Sequence, residues 1–176
     1  MDIRPGTLQD VSSVRALISA LTVDRGDIVT TGFLEYPLPS EEELLQRCSD
    51  NPFFLVAAHG EEIVGFFVGY TNDRLARRAD LHEAEQHILS ISDHFVYGEL
   101  IGVLPSFQHQ GVAQQLHLQI FDRMREQEYF DFFGICAQAP LANFAARKLM
   151  ERLALDFVTE ISEADELIFR IYTKTL

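Results

Sequence analysis

The sequence has no tryptophan, only two cysteines and about half as many basic residues as acidic ones. Each shortage excludes something. Cys48 lies in a polar helical stretch and Cys136 in an apolar strand, so neither a disulfide framework nor zinc-ligand spacing is present. The apolar runs FFLVAA and IVGFFVGY fall far short of the roughly 20 residues that span a bilayer. The patterns GxGxxG, GxxxxGK[ST] and HExxH are absent, which excludes a dinucleotide fingerprint, a Walker loop and a zinc-protease helix. Fourteen Lys and Arg stand against 27 Asp and Glu, a formal net charge of -13. That balance argues against broad nucleic-acid or acidic-membrane binding, which needs a basic face. It leans towards cationic small molecules, although an acidic surface for solubility accounts for the same charge. The start, MDIRPGTLQD, is polar and lacks a signal-type apolar region, so the expectation is a cytoplasmic protein.

What is present fits one domain over residues 1–176. Apolar residues make up 47% of the chain, and the 14 phenylalanines predict a phenylalanine-rich core. No repeat, low-complexity run or linker interrupts it. Asp2 to Arg4 reads as a short strand. Thr7 with Asp10 resembles a helix start, followed by Val11, Val14, Leu17, Ile18 and Leu21 at helical spacing. Residues Thr22 to Pro39 read as an irregular loop, and its Arg25-Gly26-Asp27 as a turn. Ser40 and Glu43 form a capping box that opens a second helix, closed by Asn51-Pro52. FFLVAA and IVGFFVGY are strands joined by a tight turn at His59-Gly60-Glu61. Leu75 to Ile91 reads as one amphipathic helix with a partial stripe of Leu75, Ala79, Ala84, Ile88 and Ile91. A strand from Phe95 to Val103 precedes a helix carrying Val112, Leu116, Ile120 and Met124 on one side. DFFGICA is a strand, LANFAARKLMERL a helix, and DFVTEI and ELIFRIYT a closing pair of strands joined at Ser162 to Asp165. The order β-α-α-β-β-α-β-α-β-α-β-β implies a mixed α/β fold with one central sheet and helices on its faces.

The stretch IGVLPSFQHQGVAQQL holds the most informative turn. An apolar strand ends at Val103, a polar loop follows Pro105, and a helix starts after Gly111. The first turn of a helix leaves N–H groups without intrahelical partners at the positive end of its dipole. An anion such as a phosphate suits that position, and Gly111 and Ala113 keep it uncluttered. Taken alone, a glycine at a helix start has the ordinary alternative of being just that.

Val103, Pro105, Phe107, Gln108, Gly111, Val112 and Ala113 match, nearly position by position, motif A of the GNAT superfamily of N-acetyltransferases. The chain resembles that family over most of its length, because the element order also matches. The resemblance implies a single domain with a central, mostly antiparallel sheet of about seven strands, splayed between the fourth and fifth. It implies acetyl-coenzyme A as co-substrate and no metal. The amides of Gln108, His109, Gln110, Gly111, Val112 and Ala113 would bind the pyrophosphate. Backbone at Ile101, Gly102 and Val103 would pair with the pantetheine arm, and an N–H near Gly102 or Val103 would polarise the thioester carbonyl. Asn143, Ala146 and Leu149 match the family's second donor-binding pattern. Asn143 is then a contact to the pantetheine arm, while Arg147 and Lys148 either reach the phosphates or are solvated helix residues.

An amine must lose a proton before it attacks, so a base is needed. Glu99 lies nine residues before Gln108, where some members of the family keep a catalytic glutamate. In FVYGELIGV, alternation puts Tyr97, Glu99 and Ile101 on one face. The bland alternative for Glu99 is a salt-bridged or edge-exposed carboxylate. The family often places a tyrosine after Leu149 as the acid for the leaving thiolate, and this chain has Met150 there. Tyr97 and Tyr172 are the substitutes, or the thiolate leaves without a protein acid. Met150 also keeps open a non-catalytic module that binds acyl-coenzyme A, and a longer acyl donor is a third reading. His82, His87 and His94 lack metal-ligand spacing and read as solvated or structural. The expected acceptor is a small-molecule or peptide amine. Asp24, Asp27 and Glu35, with Asp80, Glu83, Glu85 and Asp93, would form an acidic rim favouring a cationic one. The Leu75–Ile91 helix would cover the acceptor site or form a homodimer contact.

Overall fold

The computed structural model describes residues 1–23, 33–34, 39–140 and 142–176. Asp24, Asp27 and Glu35, and the Arg25-Gly26-Asp27 turn, lie outside the described residues. A seven-stranded sheet runs in the order β1-β4-β5-β6-β7-β9-β8. Its strands are β1 (Asp2–Pro5), β4 (Phe54–His59), β5 (Glu62–Thr71), β6 (Phe95–Val103), β7 (Asp131–Ala139), β8 (Asp156–Ser162) and β9 (Ile168–Thr175). Two further strands, β2 (Thr22–Val23) and β3 (Phe33–Leu34), form a short parallel pair inside the segment expected to be irregular. The β6–β7 ladder is parallel, and β1–β4, β4–β5, β7–β9 and β8–β9 are antiparallel. The helices are α1 (Val11–Leu21), α2 (Glu41–Cys48), α3 (Asn72–Ala76), α4 (Glu83–Ile91), α5 (Val112–Glu126) and α6 (Phe144–Arg152).

The chain divides into two compact units. The described part of the first comprises residues 1–23, 33–34, 39–68 and 100–123. Its helix starts are written locally. Thr7 N–H and its hydroxyl both donate to Asp10 Oδ2 at 2.8 Å, and Arg4 grips the same carboxylate with two bonds of 2.8 Å. The Arg4 bond, with those from Thr7, holds the Asp10 carboxyl down at about 2 against the opposing effect of burial. Ser40 and Glu43 close the expected capping box on α2. Gly60, at φ +64, makes the tight turn between β4 and β5.

Two glycines set the packing of this unit. A Cβ on Gly102 would come within 2.6 Å of the Phe66 ring and 2.8 Å of Leu21, so α1 approaches the strand only because there is none. A Cβ on Gly65 would meet the Gly102 carbonyl at 3.2 Å and Val112 at 3.3 Å. Gly65 and Phe66 point to opposite faces, which puts α5 on one face of β5 and α1 on the other. The expected stripe of α5, Val112, Leu116, Ile120 and Met124, is buried throughout.

The described part of the second unit comprises residues 69–99, 124–140 and 142–176. It pairs β7 with β9 and β9 with β8, and its Phe95, Phe132 and Phe133 are buried. Met150 of α6 is also buried, 3.0 Å from where a Cβ on Gly134 would stand. The single helix expected from Leu75 to Ile91 is two helices, α3 and α4. The intervening Arg78 turns inward to carboxylates, and His82 starts α4 afresh by donating its backbone N–H to Glu85 at 3.0 Å. Ala79 and Ile91, counted in the expected stripe, are exposed. Among the described residues no helix is long and apolar enough to cross a membrane.

Candidate active site

The turn between β6 and α5 is built from its own neighbours. Pro105–Phe107 forms a short 3-10 turn, with Phe107 N–H donating to the Leu104 carbonyl at 2.8 Å. The Phe107 ring sits 5.4 Å from that of His59, which pins the turn. The Gln108 side chain donates to the Val103 carbonyl at 3.1 Å, and that of Gln110 to the Ser106 carbonyl at 2.9 Å. Both glutamine side chains are therefore spent on shaping the loop. His109 at φ 60 and Gly111 at φ 82 occupy the left-handed region, which costs a side-chain-bearing residue about 1–2 kcal/mol. Nothing lies within 4 Å of where a Gly111 Cβ would stand. The glycine thus answers a backbone requirement and leaves open space above it. Gln115 N–H reaches the Gly111 carbonyl at 2.9 Å, so the N–H groups of Val112, Ala113 and Gln114 precede the first bond of the helix. This is an exposed helix N-terminus with an open approach, and it fits a phosphate.

Behind the turn, His117 is buried on α5, which no local pattern in the sequence indicates. Its Nδ1 lies 2.9 Å from the Ala113 carbonyl, and its ring meets Phe67 edge-on at 5.2 Å. Burial drives its pKa down to about 4, so it is a neutral packing residue at physiological pH.

Glu99 is the centre of a second arrangement, in the other unit. Strand β6 presents it, and the β6–β7 ladder ends one residue earlier at the Gly98–Gly134 pair, while both strands continue. Tyr70 donates its hydroxyl to Glu99 Oε2 at 2.7 Å, and Arg78 Nη1 donates to Glu99 Oε1 at 2.6 Å. The same Nη1 lies 3.3 Å from Glu85 Oε1, and the Arg78 guanidinium nitrogens Nε and Nη2 donate to Asp80 at 3.1 Å each. Glu99 is thus the salt-bridged carboxylate named as its bland alternative, but in a cluster of five polar residues with a side chain 10% exposed. Burial opposes the charge on Arg78, yet the Asp80 bond and the charges of Glu99 and Glu85 outweigh it and raise its pKa. Burial raises Glu85 despite Arg78 beside it. Burial, then the charges of Glu85 and Glu99, pushes the Tyr97 phenol well above its ordinary value. Glu85, expected on an acidic rim, is in fact buried, because it caps α4 and faces Arg78.

Asn143 caps α6, its Oδ1 accepting from Ala146 N–H at 2.9 Å. Arg147 lies 3.6 Å from Glu151 and over the Phe144 ring at 5.7 Å. Arg147, Glu151, Leu155, Phe157, Arg170 and Tyr172 line a cleft of about 310 Å³. Burial, then the neighbouring Cys136, raises Tyr172, and burial pushes the Cys136 thiol up to about 11. Cys136 is a protonated core thiol at neutral pH, not a nucleophile. Among the described residues no group of three His, Cys, Asp or Glu side chains is placed to hold a metal. His82 instead meets Glu163 at 3.1 Å, and His94 stacks on Tyr129 at 4.5 Å.

The family model for the acetyltransferase (GNAT) family matches residues 23–155. No curated protein is a significant match in sequence. Among solved structures, the chain is similar to an N-acetyltransferase from Staphylococcus aureus Mu50, at TM-score 0.69 and 17% identity over 99% of this chain and 97% of that one. It is similar to the ribosomal-protein-alanine N-acetyltransferase from Brucella melitensis, at TM-score 0.69 and 17% identity over 100% of both. It is also similar to yncA from Salmonella typhimurium, a structure with its cofactor acetyl-CoA, at TM-score 0.70 and 13% identity over 100% of this chain and 94% of that one.

Proposed function

The chain belongs to the GNAT family of acetyltransferases, and from that premise we propose that it transfers an acetyl group from acetyl-coenzyme A to a primary amine by direct attack. The observation that carries this reading is the helix N-terminus at Gln108–Ala113, whose left-handed Gly111 leaves an open approach to backbone N–H groups. On this reading those amides hold the pyrophosphate, and backbone at Ile101, Gly102 and Val103 receives the pantetheine arm. Asn143, Ala146 and Arg147 keep the donor-binding roles that the family pattern implies. Bound coenzyme A supplies an activated acyl thioester. Residues 1–176 act as one acetyltransferase domain. The two free, buried cysteines suit a reducing compartment such as the cytoplasm.

Glu99 takes the proton from the attacking amine. A carboxylate has about four acceptor sites, so bonds from Tyr70 and Arg78 are compatible with a further one from an amine or a bridging water. Those two bonds fix the orientation of the carboxylate. The backbone N–H at Gly102 or Val103 polarises the carbonyl as charge develops on it. Tyr97 and Tyr172 both keep their protons at neutral pH and are the candidate acids for the thiolate.

One observation favours a second reading. Met150, standing where the family often has a tyrosine, is buried against Gly134 and offers no proton. A module that binds acyl-coenzyme A with little turnover follows from that. Thiol release from acetyl-coenzyme A, measured against spermidine, agmatine and an alanine-initiated peptide, separates the two readings. Release with any of the three, lowered about 100-fold or more in Glu99→Gln, is the expected result. Donor binding without release favours the module, and no donor binding overturns both.

A further inference from the structure

We propose that Arg78 is a positioning residue for the transfer reaction, sharing one guanidinium nitrogen between the Glu99 and Glu85 carboxylates and so setting the direction in which Glu99 is held. The inference rests on the reading of Glu99 as the base.

The geometry of the cluster carries it. Arg78 sits in the break between α3 and α4, where the sequence pattern alone predicts uninterrupted helix. Its own near neighbour Asp80 takes Nε and Nη2 at 3.1 Å each, which orients the planar fork. Only Nη1 then points inward, and it meets two carboxylates from different elements. Glu99 on β6 is 2.6 Å away and Glu85 on α4 is 3.3 Å away. Tyr70 of β5 lies under the guanidinium, its ring centre 5.7 Å from Arg78 Cζ, and donates to the other oxygen of Glu99. Tyr97 of β6 also faces the cluster, and His82 at the start of α4 is held by Glu163. Two carboxylates packed together each favour the other's protonation, and a shared cation reverses that. Asp80, with its side chain 65% exposed, serves to steer the fork, while Glu85 and Glu99 are the two enclosed carboxylates that depend on it. A lysine in place of Arg78 keeps the charge but lacks the planar fork that binds Asp80 and both glutamates together.

The test measures kcat and KM for thiol release with acetyl-coenzyme A and the three amines named above, alongside calorimetric donor binding. Arg78→Met should lower kcat about tenfold or more with donor Kd unchanged, and Arg78→Lys should not restore kcat, because the planar fork is lost. In a Glu99→Gln background Arg78→Met should add little further loss, since the residue acts through Glu99. If Arg78→Met does not fold, Arg78→Lys alone and in the Glu99→Gln background carries the same comparison. A wild-type kcat in both Arg78 variants overturns the inference, and so does an equal further loss in the Glu99→Gln background. If Glu99→Gln leaves turnover intact, the assignment of the base fails instead.

Discussion

The Gln108–Ala113 turn and the Glu99 cluster are made in opposite ways. In the turn the proposed working groups are backbone amides, and the side chains of Gln108 and Gln110 are spent on shaping the loop. In the cluster the proposed working groups are side chains, drawn from β5, β6, α4 and the break before it. The hydrogen bonds that shape the first join residues within a few positions of one another. The second joins positions 70, 78, 85 and 99, which no short sequence window contains. A backbone site should tolerate loss of its side chains but not of its special φ angle. A side-chain site should fail on the loss of one oxygen.

Tyr70→Phe gives the larger effect. It deletes the hydroxyl that donates to Glu99. A hydrogen bond to a charged group is worth about 1.5–3 kcal/mol, so kcat should fall about 10- to 100-fold while donor affinity holds. Steady-state thiol release with calorimetric donor binding checks both halves. Gly111→Val comes next. Forcing a β-branched residue to φ 82 costs about 1–2 kcal/mol, so the donor Kd should rise about tenfold with saturated turnover near wild type. A Gly111→Val protein that binds the donor normally would break the contrast, because the turn would then not depend on its backbone.

His117 sharpens it from behind the turn. Its folded pKa, about 4, is below the usual value near 6.5, so the unfolded chain binds more protons between those values. Its contribution is therefore intact above pH 6.5 and is lost as pH falls towards 4, on the order of a few kcal/mol at the lower end. Denaturant unfolding of His117→Gln should lack that part of the acid loss, and its turnover at pH 7.5 should match wild type. The smallest effect is that of Gln110→Ala, a surface side chain whose removal should change the donor Kd by no more than about threefold. A larger loss would mean that the side chain, and not the backbone, meets the donor.

The same contrast explains how much the sequence disclosed. Helix starts at Thr7 and Ser40 and the Gly60 turn rest on contacts within a few residues, and β6 and the buried stripe of α5 declare themselves by apolar patterning, so all were legible. Asn143 was legible as a pattern, though the structure spends its oxygen on capping α6. The break between α3 and α4 was not legible, because helical periodicity survives in residues where Arg78 leaves the helix to reach Glu99, 21 positions away. Glu85 shares its charge with the exposed Glu83 and so read as rim, while its burial comes from a partner outside its own helix. Tyr70 is the last residue of the apolar run IVGFFVGY, and nothing within that run points to Glu99, 29 positions away. His117 lies between Leu116 and Leu118, outside the expected stripe of α5, and carried no sign of the aromatic pocket formed with Phe67.

One paired measurement tests the account most directly: donor affinity by calorimetry and kcat by thiol release, on Glu99→Gln and Gly111→Val side by side. The account predicts that Glu99→Gln loses about 100-fold or more in kcat with donor Kd unchanged, while Gly111→Val loses donor affinity with saturated kcat preserved. If both variants fall in the same parameter, or if Glu99→Gln turns over like wild type, the separation of donor cradle from base is contradicted.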